Sequence, residues 1–263
     1  MKKSGWKIIL GVAVLVCVIC LGRFGWVKYQ DYKTEQARKA TLKEIASTEF
    51  TGENEGKEPE KVPAGVKHGQ KINFKKLIKI NSDIYAWIYV PGTRIDYPVA
   101  QSQESDDHYL KYNFKNEPEF AGCIYTEKAN KKDFSDPNTV LYGHNMRNGS
   151  MFQNLHKFED EAFFKKHKEV YVYTPKKTYT YTIFAAYKFD DRHLLKTFNF
   201  KNKKKFENYL RNVKNIRDMG SHVRKDQEVT SNDKIITLST CVGGQPNNRY
   251  LVQAVLTDER STK

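Results

Sequence analysis

The stretch at residues 234–256 constrains the fold most, because two apolar segments there are joined by a sharp reversal. The first segment, IITL, is rich in β-branched residues and predicts a buried strand that ends on Cys241. Five of the next seven residues are glycine, proline or asparagine, so the chain is predicted to turn back on itself. Arg249 then begins a second apolar strand. We expect this return to bring the Cys241 thiol and the Arg249 guanidinium to the same end of two strands.

A thiol beside a fixed cation suits a nucleophile. The cation favours the thiolate and can hold the negative charge that develops on a carbonyl oxygen under attack. The other cysteines fit this chemistry less well, because Cys17 and Cys20 lie in an apolar N-terminal run and Cys123 lies mid-strand, where we expect a buried side chain. Cys241 is therefore the candidate nucleophile.

A proton-transferring histidine would complete such a site, and His144 is the candidate. It follows an apolar strand in a Gly-His-Asn turn, unlike the other six of the seven histidines. His108, in an Asp-Asp-His-Tyr segment, is expected to be structural or exposed. The other five lie in polar segments and are expected to be solvated. They are His68, His156, His167, His193 and His222.

These residues resemble the active-site signature of sortases, the cysteine transpeptidases of Gram-positive bacteria. The signature comprises Thr-Leu-Ser-Thr-Cys at 237–241, Arg249 eight positions after the cysteine, and Thr-Val-Leu-Tyr-Gly-His-Asn at 139–145. Two earlier segments, 87–93 and 95–99, also resemble sortase sequence. The similarity covers most of the chain between residues 73 and 257.

The resemblance implies a role for each residue of the signature. Cys241 would attack the peptide bond and hold the acyl group as a thioester. His144 would protonate the leaving amine and later deprotonate the acceptor amine, and Arg249 would hold the oxyanion and position the substrate. Ser239 and Thr240 would line the substrate groove. We expect neither a cofactor nor a metal ion.

Eight strand candidates separated by turn signals predict a mainly β domain, either a closed barrel or a sandwich. The resemblance to sortases implies the closed eight-stranded barrel. The candidates cover residues 86–90, 95–99, 122–126, 139–143, 169–174, 178–189, 234–240 and 250–257.

Apolar residues at helical spacing predict two helices at the periphery of this domain. The first carries Met151, Leu155 and Phe158, just after His144. The second covers residues 202–216, between the sixth and seventh predicted strands. A long helix at that place resembles class B sortases, in which it forms one wall of the substrate groove.

The N-terminal part predicts a membrane anchor at residues 1–27. Three lysines precede an uncharged run at residues 8–21, and Trp6 and Trp26 are placed as interfacial anchors. Arg23 can extend its charged end to the lipid head groups. A cleaved signal peptide is the alternative. The lysines at the start favour a single-pass protein in the cell membrane, with a cytoplasmic N-terminus and an extracellular catalytic domain.

The anchor is followed by a predicted stalk at residues 28–71. Residues 28–50 have a weak helical pattern, and residues 51–69 mix charges with glycine and proline and contain almost no large apolar side chain. The catalytic domain is then expected at residues 72–263. The net charge of +14 suits anionic surroundings such as lipid head groups or a cell-wall polymer. Zinc-finger spacings and RNA-binding signatures are missing from the sequence, so nucleic acid is not an expected partner.

Three functions remain open. The favoured one is a membrane-anchored class B sortase, whose partners would be the sorting-signal peptide of a surface protein and an amine of a peptidoglycan precursor or cross-bridge. The second is another cell-wall cysteine peptidase or an L,D-transpeptidase. The L,D-transpeptidases have a histidine and a glycine just before the cysteine, whereas Ser239 and Thr240 occupy those positions here. The third is a non-catalytic surface-anchored β-barrel protein. It gives no reason for Cys241, His144 and Arg249 to coincide.

Overall fold

The computed structural model describes residues 3–46 and 72–261, which belong to two separate compact units. The first unit contains helix α1 (Lys3–Ala46). Its segment Ile9–Gln30 is long and apolar enough to cross a membrane, with a mean hydropathy of 2.2, although a signal sequence would meet the same criteria. The predicted stalk begins within α1, and its remainder at residues 47–71 lies outside the described residues.

The second unit is a β-barrel. The strands are β1 (Ile84–Tyr89), β2 (Asp96–Ala100), β3 (Ile124–Tyr125), β4 (Asn138–Tyr142), β5 (Glu169–Tyr173), β6 (Lys177–Asp190), β7 (His222–Val223), β8 (Ile235–Val242) and β9 (Gln245–Ser261). Neighbours follow the order β5-β1-β2-β3-β4-β8-β9-β6, and β6 pairs back with β5 to close the ring. The pairs β2–β3 and β4–β8 are parallel, and the other pairs of the ring are antiparallel.

The prediction of a closed eight-stranded barrel is confirmed, and each of the eight strand candidates is present. Strand β7 was not predicted. It is a two-residue addition beside β6, and two residues are too short to show a periodic pattern.

Helices surround the barrel. They are α2 (Phe74–Ile80), α3 (Glu161–Lys166), α4 (Leu194–Thr197), α5 (Lys203–Lys214) and the 3-10 helices His108–Leu110 and Phe152–Glu159. Both predicted helical segments are present, one as α5 between the sixth and seventh strands of the ring and one as the second 3-10 helix. Asn202 caps α5, because its side-chain oxygen accepts a hydrogen bond from the Lys205 amide over 3.0 Å.

The strands bury apolar side chains on both faces. Ile236 of β8 belongs to the cluster that fills the barrel, and Ile235 belongs to a second cluster that includes buried residues of α5 such as Phe206. Since side chains alternate along a strand, the outer face of β8 continues from Ile235 to Cys241. The fold therefore places Cys241 on the outside of the barrel, on the strand face that carries the α5 cluster.

A buried polar network connects α5 with the strands that carry the candidate site. Gln253 of β9 is fully buried and donates to the Tyr209 hydroxyl of α5 and to the Thr237 hydroxyl of β8, each over 2.8 Å. Thr237 donates in turn to the Asn138 side chain of β4 over 2.9 Å. Tyr187 of β6 donates to the Gln253 oxygen over 3.1 Å, and burial raises its pKa well above the usual value. The network fixes α5 against β4, β8 and β9.

Candidate active site

The nucleophile candidate and the arginine face each other across two strands. The antiparallel register of β8 and β9 pairs Cys241 directly with Arg249, and a bulge follows before the pairing of Val242 with Gln245. Cys241 is exposed to solvent. The thiol thus stands at the last regular pair of the ladder, as the apolar segments and the turn predicted.

The guanidinium of Arg249 is fixed by its own loop. Its Nη1 donates to the carbonyls of Pro246, over 2.8 Å, and Asn248, over 3.0 Å. Its Nε and Nη2 groups make no hydrogen bond within the described part of the chain. An arginine held in this way has free donors for a substrate carbonyl.

His144 reaches the same end of the barrel from β4. The parallel register of β4 with β8 ends at the pair of Tyr142 with Ser239, and the Gly143 amide still donates to the Ser239 carbonyl over 3.2 Å, so His144 follows at the point where the two strands separate. Its Nε2 lies 2.8 Å from the Leu110 carbonyl oxygen, which can only accept, so this nitrogen carries the proton. The ring stacks at 5.7 Å on Phe120, whose side chain is 81% exposed. The sequence offered no signal for either contact, because both come from a distant loop.

The three residues lie at one end of the barrel. Residues paired in register point to the same side of a sheet, so Cys241 and Arg249 share the outer face of β8 and β9. His144 follows β4, the strand that pairs with β8 on its other side. Paired strands are about 4.8 Å apart, so Cys241 and Arg249 are close neighbours.

The two residues before the nucleophile differ in their surroundings. Ser239 and Thr240 are both buried. Ser239 lies on the face of Cys241, whereas Thr240 lies on the opposite face and donates its hydroxyl to the Gly143 carbonyl over 2.8 Å. Their contact with substrate stays a prediction.

The second thiol of the barrel is buried, as predicted. Cys123 is 4% exposed, its Sγ lies 3.6 Å from the Pro98 carbonyl oxygen, and burial raises its pKa. A thiol that stays protonated is a poor nucleophile. Among the described residues of the barrel unit, Cys241 is thus the reactive candidate.

The expectation that His156 is solvated is wrong. Its side chain is 17% exposed, and its Nε2 lies 3.0 Å from the main-chain oxygen of Cys241. The charged residues beside His156 in the sequence suggested a surface position, but the 3-10 helix that carries it lies against β8 and β9. His193 and His222 also have partners, Glu127 and the Glu159 carbonyl, each at 2.8 Å. His68 lies outside the described residues.

An aromatic and weakly solvated area adjoins the thiol on the β4 side. Tyr125 and Tyr142 stack at 5.4 Å, and burial raises the pKa of both hydroxyls. For Tyr125 the charges of Glu127 and Asp107 add to the effect. Burial also raises the pKa of Glu127, although the bond to His193 opposes the shift. Low solvation strengthens electrostatic interactions with a bound peptide.

The closed barrel thus carries a cysteine, an arginine and a histidine at one end. Residues 88–257 match the family model described as the Sortase domain. The chain belongs to the sortase family. It is 34% identical over 215 residues to sortase B of Listeria monocytogenes, covering 81% of this chain and 78% of that protein.

Solved structures agree with this family. The structure of Clostridium perfringens sortase B is 37% identical with a TM-score of 0.64, and the match covers 70% of this chain and all of that one. A Staphylococcus aureus sortase B–substrate complex is 31% identical with a TM-score of 0.62, covering 70% of this chain and 84% of that one. The protein is thus a cell-wall sortase-type transpeptidase. The alternatives of an L,D-transpeptidase and of a non-catalytic barrel are set aside.

Proposed function

We propose that this protein is a membrane-anchored class B sortase that cleaves the C-terminal sorting signal of surface proteins and joins them to a cell-wall amine. The observation that supports it most is that the register of β8 with β9 pairs Cys241 with Arg249, while the parallel pairing of β4 with β8 ends two residues before His144. This arrangement provides a nucleophile, an oxyanion donor and a proton carrier at one end of the barrel.

In the first half of the proposed reaction, the Cys241 thiolate attacks the carbonyl carbon of the scissile peptide bond. The free N–H groups of Arg249 hold the oxyanion that forms. His144, protonated on both nitrogens, donates the Nδ1 proton to the leaving amine while Nε2–H remains on the Leu110 carbonyl. The C–N bond breaks, the C-terminal fragment leaves, and the acyl group stays on Cys241 as a thioester.

In the second half, an amine attacks the thioester. His144 Nδ1 now carries the lone pair and removes the proton of the incoming amine. The tetrahedral intermediate collapses, the Cys241 thiolate leaves, and an amide bond to the acceptor forms. The acceptor proposed here is an amine of a peptidoglycan precursor or cross-bridge, because thioesters react readily with amines.

The proposed location follows from α1. Its segment Ile9–Gln30 would cross the cell membrane once, with the N-terminal lysines in the cytoplasm and the barrel outside. Membrane fractionation of cells with an epitope tag at the C-terminus tests the anchor, and added protease tests the orientation. A soluble, shortened protein in the medium would instead identify the segment as a cleaved signal.

The test of the reaction is mass spectrometry of the purified protein with a panel of sorting-signal peptides. We expect a covalent acyl adduct on the peptide that contains Cys241, and its release when a small amine is added. Cys241→Ala is the control and should form no adduct. Cleavage without any adduct, in wild type and control alike, would contradict the thioester route.

A further inference from the structure

The main-chain carbonyl of Cys241 lies at an edge of β8 where the neighbouring strand has already ended. Strand β4 pairs with β8 as far as Tyr142 and Ser239, and one further bond runs from the Gly143 N–H to the Ser239 carbonyl over 3.2 Å. Alternate carbonyls of a strand point to the same neighbour, so the Cys241 carbonyl points to this side as well. It needs a donor that β4 does not supply.

Two side chains provide donors at this position. Asn145 Nδ2 donates to the Cys241 oxygen over 2.9 Å, and His156 Nε2 lies 3.0 Å from the same oxygen. A carbonyl oxygen has two lone pairs and can accept both bonds. Asn145 Nδ2 and His156 Nε2 also lie 3.2 Å apart, so the two side chains contact each other as well as the carbonyl. One side chain from the segment after β4 and one from the second 3-10 helix thus occupy the place of the missing strand.

Other residues hold the imidazole of His156 in turn. Its Nδ1 lies 2.6 Å from Glu159 Oε1, and its ring packs against Tyr250 at 5.2 Å between centroids. Both ring nitrogens therefore have partners, and the contact with the Glu159 carboxylate fixes the orientation of the ring. The backbone of Glu159 is tied as well, since its carbonyl accepts a hydrogen bond from His222 Nε2 over 2.8 Å.

We propose that Asn145 and His156 form a clamp on the Cys241 carbonyl and that Glu159 holds His156 in this clamp, which makes His156 a positioning residue for the nucleophile. Because the peptide group is planar, a fixed carbonyl also fixes the Val242 N–H and restricts the backbone of Cys241. The backbone conformation in turn restricts the rotamers of the thiol. The clamp rests on the proposed function only in taking Cys241 as the nucleophile.

The experiment compares two substitutions of His156 in the full-length protein in detergent. The amide of His156→Gln reaches the position of Nε2 and keeps a donor for the Cys241 carbonyl, whereas the shorter His156→Asn loses it. We measure kcat and KM for a sorting-signal peptide, the rate of Cys241 alkylation by iodoacetamide, and the melting temperature. His167→Asn is the matched control, because the His167 ring packs against Phe163 at 4.1 Å.

We expect His156→Asn to lower kcat on the order of 10- to 100-fold with little change in KM, as misplacement of a reacting group does. Alkylation of Cys241 should slow as well, because the thiol no longer holds the exposed rotamer that the fixed backbone selects. His156→Gln should remain close to wild type, as should His167→Asn. Asn145→Ala should lower kcat and the alkylation rate about as much as His156→Asn does. Glu159→Gln should give values between those of the two His156 variants.

The clamp is overturned if His156→Asn and His156→Gln have the same kcat and the same alkylation rate, whatever their melting temperatures. The measurement of Cys241 alkylation needs no peptide substrate. If wild type cleaves no peptide and His156→Asn still slows alkylation relative to His156→Gln, the clamp is supported and the proposed function fails.

Discussion

The hydroxyl of Thr240 donates a hydrogen bond to the carbonyl of Gly143, 2.8 Å away and within the protein interior. This bond joins the residue before the nucleophile candidate to the residue before the histidine candidate. It runs alongside the main-chain bond from Gly143 to Ser239 at the end of the parallel pair. The end of the β4–β8 pair therefore holds the residue before Cys241 next to the residue before His144.

Cys241→Ala should abolish peptide cleavage and leave the fold intact. The side chain is exposed at the end of its strand, so its truncation leaves no cavity. Cleavage of a sorting-signal peptide and the melting temperature are the measurements. The matched variant Cys123→Ala removes a buried thiol and should keep activity while lowering the melting temperature. Cleavage by the purified Cys241→Ala protein would refute the assignment of the nucleophile.

Arg249→Lys should slow turnover on the order of 100- to 1000-fold, the usual cost of losing one oxyanion donor. Lysine keeps the charge but loses the forked donor geometry. His144→Ala should abolish both acylation and transfer, because the proton carrier itself is lost. Peptide cleavage is measured for both variants, with Arg211→Lys on the exposed face of α5 as the control. If Arg249→Lys cleaves at the wild-type rate, Arg249 is a surface charge only.

The two thiols of the barrel should differ in reactivity. Burial raises the pKa of Cys123, so its thiol stays protonated at pH values where a free cysteine begins to ionise. We expect iodoacetamide at mildly alkaline pH to label Cys241 in the native protein and to label Cys123 only after unfolding. Peptide mapping by mass spectrometry gives the result. Fast labelling of native Cys123 would mean that the strand pair around it opens readily.

Phe206→Ala should destabilise the protein by about 3–5 kcal/mol, because the ring is fully buried between α5 and the outer face of the barrel. Asn208→Ala, on the exposed side of the same helix, should change stability by less than about 0.5 kcal/mol. Chemical denaturation of both variants provides the comparison. Equal stability of the two would show that α5 contributes little to folding.

Removal of residues 1–69 should leave a soluble and active barrel. The removed part consists of the apolar helix and most of the predicted stalk. The composition of the stalk provides too little apolar surface for a core. The match to the Clostridium perfringens sortase B structure covers 70% of this chain and all of that one, which fits a domain of this size. Solubility, a cooperative melt and peptide cleavage are the measurements. Aggregation of the shortened protein would place the domain boundary elsewhere.

The sequence by itself determined the local parts of this protein. The apolar run before Cys241 and the turn-forming residues after it predict a strand, a reversal and a returning strand, and these local signals place Arg249 at the same end of the two strands as the thiol. Tyr179 and Tyr181 alternate with threonines along β6, which is the period of a strand, and both rings are buried. The spacing of apolar residues likewise defines α5.

Only the tertiary structure decided which distant segments meet. The parallel pairing that brings His144 to the same end of the barrel as Cys241 joins residues 138–142 to residues 235–239. The local periodicity of the sequence does not indicate which distant segment pairs with a given strand. The same holds for the Leu110 carbonyl that orients His144 and for the His156 imidazole on the Cys241 carbonyl. The period of apolar residues along the chain predicts which face of a helix or strand a side chain takes, because that period follows from backbone geometry. The partner on that face is fixed only when the barrel closes and unpaired polar groups must find donors and acceptors.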